Sequence, residues 1–152
     1  MLDTNKPTDQ EFVSALPAYI RETRVAVNAV SGAGNVGVTE LTVAAGATSL
    51  SIGTDLGAYG FETVVIDGAA AISLQRILGG TQGQVKVIIF QDNNVSLVDG
   101  AAANGNFYLN QLPALSTFAA QQNDVIALVN IGGDGASIQG YWKELYRTLA
   151  IK

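Results

Sequence analysis

The chain has 152 residues, of which 48% are hydrophobic and only 14% charged, with a net charge of −5 and neither cysteine nor histidine. Disulfides, thiol nucleophiles, Ser-His-Asp triads and the common zinc and haem ligand sets are therefore excluded. So is the customary general base near neutral pH.

Ordinary soluble domains carry about 25% charged residues. A chain this poor in charge must clothe itself in small and uncharged polar groups, or bury surface against copies of itself. Its basic residues stand singly, without the cluster that a phosphate backbone selects, so nucleic acid is not an expected partner. No run approaches the ~18 apolar residues that span a bilayer, and a membrane is not expected either. The opening Met1-Leu2-Asp3-Thr4-Asn5-Lys6 lacks the apolar core of a secretory signal.

The first predicted element is helical. Thr8 and Glu11 have the spacing of a capping box, and Asp9 and Glu11 suit the positive end of a helix dipole. Val13, Leu16, Ile20, Thr23, Val27 and Val30 then recur at alternating steps of three and four, the a/d stripe of a heptad. Pro17 interrupts it by opposing the carbonyl of Val13, which predicts a short helix, a bend, and a second helix over 17–30. So short a helix is marginal alone in water and needs a partner. It either lies on its own chain or associates with copies of itself, and β-branched residues at both a and d favour three strands over two.

The loop 31–37, Ser31-Gly32-Ala33-Gly34-Asn35-Val36-Gly37, ends the helix and reads as a hinge. From residue 38 the apolar period becomes two. Strands are predicted over 38–43, 49–52, 62–66, 71–78, 84–91, 95–98, 106–109, 124–131 and 141–149, with a weak helical alternative at 115–122. Turn candidates are Asp67-Gly68, Gly79-Gly80, Asp92-Asn93-Asn94, Asp99-Gly100, Asn104-Gly105 and Asp134-Gly135. Turns at intervals of roughly 8–12 residues suit an antiparallel β-sandwich or jelly roll. No internal repeat of fixed period stands out.

The chemistry left to such a composition is a carboxylate pair of the glycosidase kind. Asp67, Asp92, Asp99 and Asp134 stand beside Gly or Asn, where a carboxylate more readily binds its own turn. Gly79-Gly80-Thr81-Gln82-Gly83-Gln84 lacks the Lys-Ser/Thr ending of a phosphate loop and reads as a hairpin turn, and Asn94-Val95-Ser96 is a chance-level glycosylation triplet. No catalytic residue, cofactor or metal site is assigned. In the last strand, strict alternation puts Tyr141, Lys143, Leu145, Arg147 and Leu149 on one face and Trp142, Glu144, Tyr146 and Thr148 on the other. Tyr141, Trp142 and Tyr146 are the candidate aromatic contact surface, with core packing, a subunit contact and a sugar platform as their three readings.

Two segments carry a resemblance. Asp3-Thr4-Asn5-Lys6-Pro7-Thr8-Asp9 followed by Val13-Ser14-Ala15-Leu16-Pro17-Ala18-Tyr19-Ile20-Arg21-Glu22-Thr23-Arg24 resembles the leader of many tailed-bacteriophage tail and fibre proteins. Ile77-Leu78-Gly79-Gly80-Thr81-Gln82-Gly83-Gln84, Asn94-Val95-Ser96-Leu97, Asn106-Phe107-Tyr108-Leu109, Asp124-Val125-Ile126-Ala127-Leu128 and Tyr141-Trp142-Lys143-Glu144-Leu145 resemble small phage fibre domains. This chain departs from that pattern in being short and in lacking a long repetitive shaft.

The resemblance implies a non-enzymatic virion component, working as a homotrimer and touching other virion proteins, with an N-terminal attachment helix. A head decoration protein, or a receptor-binding head that takes a host surface glycan, is the alternative. The combined expectation is a mainly β chain in three parts: residues 1–30 as a helical attachment and trimerisation segment, 31–37 as a glycine-rich hinge, and 38–152 as a β-rich head.

Overall fold

The structure, a computed structural model, describes residues 36–110 and 116–149. The predicted N-terminal helices, with the stripe Val13, Leu16, Ile20, Thr23, Val27 and Val30, lie outside the described residues, as does most of the hinge.

The described chain is mainly β. Its strands are β1 (Val36–Val43), β2 (Ser49–Ser51), β3 (Phe61–Gly68), β4 (Ile72–Leu74), β5 (Arg76–Leu78), β6 (Val85–Phe90), β7 (Val95–Val98), β8 (Phe107–Tyr108), β9 (Thr117–Ala119), β10 (Val125–Ile131) and β11 (Tyr141–Thr148). They form a six-stranded sheet in the order β1-β3-β6-β10-β11-β8, a three-stranded sheet β4-β7-β9, and the pair β2-β5.

Strand direction corrects the expected antiparallel sandwich. β1 runs parallel to β3, β3 to β6, β2 to β5, β4 to β7 and β11 to β8; among the named strands only β6-β10, β10-β11 and β7-β9 pair antiparallel. The parallel strands are stacked coils. Val36 lies opposite Phe61 and Phe61 opposite Val85, while Ser49 meets Arg76 and Ile72 meets Val95. Each step is roughly 23–27 residues, within the range of solenoid repeats. A parallel neighbour requires a long return path, and here the remainder of each coil supplies it. Because the coils differ in length, the stack leaves no fixed period in the sequence.

β10 and β11 close one end of this stack by adding antiparallel strands beside β6, and β9 does the same beside β7. At the other end β1 is an edge, with no strand beyond it among the described residues.

Four further expectations change. The glycine-rich segment ends early, since Val36 and Gly37 already belong to β1. Asp67-Gly68 is not a turn but the end of β3, and the span 71–78 divides at Gln75 into two strands in different sheets. Thr117–Ala119 is a strand where a helix was the alternative, because it pairs with β7 through Val98, Leu97 and Ser96. Asn104-Gly105 does turn: both residues have positive φ, 56° and 72°, a conformation that Asn and Gly accept at least cost.

The core lies between the three sheets. Val64, Ile66, Ile88, Phe90, Ile126 and Leu128 come from the six-stranded sheet, Ile72, Leu74, Val95, Leu97 and Phe118 from the three-stranded one, and Leu50 and Ile77 from the pair. Phe90 meets Phe118 edge to face with ring centroids 5.8 Å apart. Trp142 is wholly buried, and its indole Nε1 donates to the carbonyl of Ile77 at 3.0 Å. One side chain thereby ties the closing hairpin to the coil stack.

Candidate functional site

One buried polar cluster, one half-buried polar cluster and one open apolar face stand out. The first cluster lies on the core side of the six-stranded sheet. Glu62 on β3 and Lys86 on β6 are register partners with no exposure, joined as an ion pair. Glu62 Oε1 also accepts from the Thr39 hydroxyl and from the amide of Gly57 (2.9 Å), while Lys86 Nζ donates to the Gly57 carbonyl at 2.8 Å. Burial pulls the Lys86 ammonium below its ordinary pKa, and the hydrogen bond and charge of Glu62 oppose that pull. The Tyr59 ring lies beside the cluster where a Cβ on Gly37 or Gly57 would fall, so a side chain at either position would displace it. Every polar atom named here has a partner, the condition for ions to persist in a core.

The second cluster lies where β11 meets the loop after β8. Arg147 forks onto Glu144, Nε to Oε1 at 2.6 Å and Nη2 to Oε2 at 2.5 Å. The amide of Asn110 donates to Glu144 Oε2 at 2.7 Å, and Lys143 Nζ donates to the Asn110 side-chain oxygen at 2.6 Å. Burial alone would push the Glu144 carboxyl up; the Arg147 and Asn110 hydrogen bonds outweigh it and hold the group below its usual carboxylate range. Arg147 also lies 4.5 Å over the Phe118 ring, and Lys143 lies 4.6 Å over Tyr108, itself edge to face with Tyr141.

Glu62 and Glu144 lie on β3 and β11, three strands apart through the register Glu62, Lys86, Leu128, Glu144. Three spacings of about 4.8 Å put them ~14 Å apart, beyond the separation of ~5–10 Å at which paired carboxylates cleave glycosides. Among the described residues no three acidic side chains gather that could hold a metal. Of the turn carboxylates, Asp92 accepts from the amide of Asn94, and Asp134 accepts from the amides of Ala136 and Ile138, as expected. Asp99 instead receives the amide of Leu109, ten residues away.

The open face is the other side of the six-stranded sheet. Its rows follow the register. One holds Val36, Phe61, Val85, Val129, Lys143 and Tyr108; the next holds Val38, Thr63, Val87, Ala127 and Tyr146; a third holds Glu40, Val65, Ile89, Val125 and Thr148. Ile131 and Tyr141 extend it at one end. Val36 and Val38 are 74% and 70% exposed, while Phe61, Ile131 and Tyr108 are each about two-fifths exposed. No charged side chain stands in the middle row. No further sheet is stacked on this face among the described residues; its central valines and Ile89 are half-buried by their neighbours, and Ala127 is buried.

The predicted aromatic surface is only partly assembled. Trp142 belongs to the core, so it is no contact residue. Tyr141 packs on Tyr108. Tyr146 does reach the surface, but on the side opposite to Trp142. The cause is a bulge: the register passes from Ala127 opposite Tyr146 to Leu128 opposite Glu144, which leaves Leu145 unmatched. An extra residue reverses the side-chain alternation beyond it. Arg147 therefore joins Glu144 on the inner side, and Tyr146 joins Lys143 on the outer.

The open face was missed by the sequence reading, although a signal for it exists. Thr63-Val64-Val65-Ile66, Val87-Ile88-Ile89-Phe90 and Val125-Ile126-Ala127-Leu128-Val129 are nearly continuous apolar runs. Such runs are what a sheet covered on both faces contains. No protein-family model, curated protein or solved structure matches this chain.

Proposed function

We propose that this chain is a non-enzymatic structural subunit of a bacteriophage virion, a tail, fibre or appendage protein that assembles as a homotrimer. The observation that carries the reading is the open apolar face of the six-stranded sheet. Strands that are apolar on both sides need a second covering layer, and a chain with so few charges suits life inside an assembly. The N-terminal stripe Val13, Leu16, Ile20, Thr23, Val27 and Val30 supplies a second contact, either between copies or with a neighbouring virion protein. The resemblance of residues 3–24 to phage tail leaders points to the same setting.

Two measurements test the reading. Sedimentation of the full chain should give the mass of three copies, and Ile20→Asp should reduce it. Mass spectrometry of purified particles should find the chain in intact virions. Its absence from particles that were assembled in its presence rejects the virion role.

A second reading has its own observation. Tyr108, Tyr141, Lys143 and Asn110 form a partly exposed aromatic and polar edge of the kind on which a sugar ring stacks. A host-glycan role requires binding on a glycan array that Tyr108→Ala abolishes.

A further inference from the structure

We infer that the open face of the six-stranded sheet is the contact between copies, and that the occupant of each face is a second copy of this chain, the β1 corner of one meeting the β11 side of the next. The inference rests on the homotrimer reading and names the surface that reading leaves unassigned.

Three observations converge on it. The middle row, Val38, Thr63, Val87, Ala127 and Tyr146, carries no ionisable group except a phenol, so two such rows can meet without desolvating a charge. The charges of the face stand at its opposite corners. Glu40 and Asp67 mark the β1–β3 corner, and neither is in an ion pair among the described residues. Lys143 marks the β11 side, held by an amide oxygen and a ring.

From Glu40 to Lys143 is about four strand spacings across and four residues along, ~19 Å by ~13 Å. That exceeds the ~8 Å screening length of physiological salt, so the two corners do not neutralise each other within one copy. Finally, a threefold ring needs two different patches that fit one another, because a patch that only matches itself closes as a pair. An acidic corner and a basic side on one face supply two such patches; the same layout also closes about a twofold axis, and the sedimented mass tells the two apart.

The contact predicts which substitutions separate the copies without unfolding them. Val87→Asp places a carboxylate at the centre of the face. Val38→Asp does so at an edge residue 70% exposed, where the isolated copy has little packing to lose. Sedimentation of the full chain, with circular dichroism as the fold control, should show three copies for the parent and single folded copies for both variants.

Lys143→Glu should weaken association by about tenfold, and adding Glu40→Lys should restore most of it, the reciprocity expected of a complementary charge pair. Should Val87→Asp fail to fold, Val38→Asp and the charge pair still decide. Three copies persisting in Val38→Asp, with no effect of the charge reversals, overturns this face and leaves the homotrimer reading standing. A parent chain that sediments as a single copy overturns both.

Discussion

The two faces of the six-stranded sheet are built from the same strands and nearly the same side chains, yet they have opposite roles. On the inner face Val64, Ile66, Ile88 and Phe90 are fully buried beneath the smaller sheets. On the outer face Val65, Val87 and Ile89, their immediate neighbours in sequence, meet no second layer among the described residues. Hydrophobicity alone does not distinguish them. What differs is whether the fold's own coils return above the residue. The inner face thus reports how the fold is stable, and the outer face is the surface on which the proposed contact between copies rests.

That contrast can be broken by substitution. The largest effect is expected at Trp142, where truncation to alanine should cost about 3–5 kcal/mol in urea unfolding, since it empties the core and frees the Ile77 carbonyl. Tyr146→Ala, on the same strand beyond the bulge, should cost a single copy less than ~1 kcal/mol. Equal losses at the two positions would place them in the same environment and remove the contrast.

Next comes the buried pair. Lys86→Met leaves the Glu62 carboxylate without its counterion and should cost about 3–5 kcal/mol, whereas Glu62→Leu with Lys86→Met should recover most of that. A single Lys86→Met variant as stable as the parent would show that the pair is not buried as described.

A smaller effect sharpens the role of the hairpin. Glu144 ionises below its ordinary value in the folded chain, so its contribution to stability is complete above about pH 4.5 and fades as pH falls through the lowered folded value. Glu144→Gln should flatten that part of the acid limb in thermal melts from pH 6 downwards; an unchanged limb would assign acid sensitivity elsewhere. The smallest effect belongs to the outer face itself. Val87→Ala should shift the unfolding of a single copy by under ~1 kcal/mol, against about 2–5 kcal/mol for Ile88→Ala one residue away.

Much of the β-rich part could be read from the sequence, because alternation and turn chemistry are local. The strands containing Ser49, Val85, Val95 and Val125 lie where period and punctuation put them. Strand direction could not be read this way. Val36 opposite Phe61, and Phe61 opposite Val85, are pairings set by how whole coils return, and unequal coil lengths erase the period that would have betrayed them. Even the last strand shows the limit. Its two faces follow strict alternation as far as Glu144, and one unmatched residue, Leu145, then moves Tyr146 outward and Arg147 inward. The site was harder still, since an apolar residue beneath a second sheet and one on the open face look alike in a string of letters.

The coil stack also has a direction. One end is finished by the closing hairpin, while at the other β1 has no strand beyond it among the described residues. A change in length that respects the architecture must therefore come in whole units of one coil, inserted between existing coils where Val36 and Phe61 now face each other. An insertion of a few residues within β3 would instead throw Glu62 out of line with Lys86 and strand both ions. Growth by duplication is open to this design, and growth by small increments within its long strands is not.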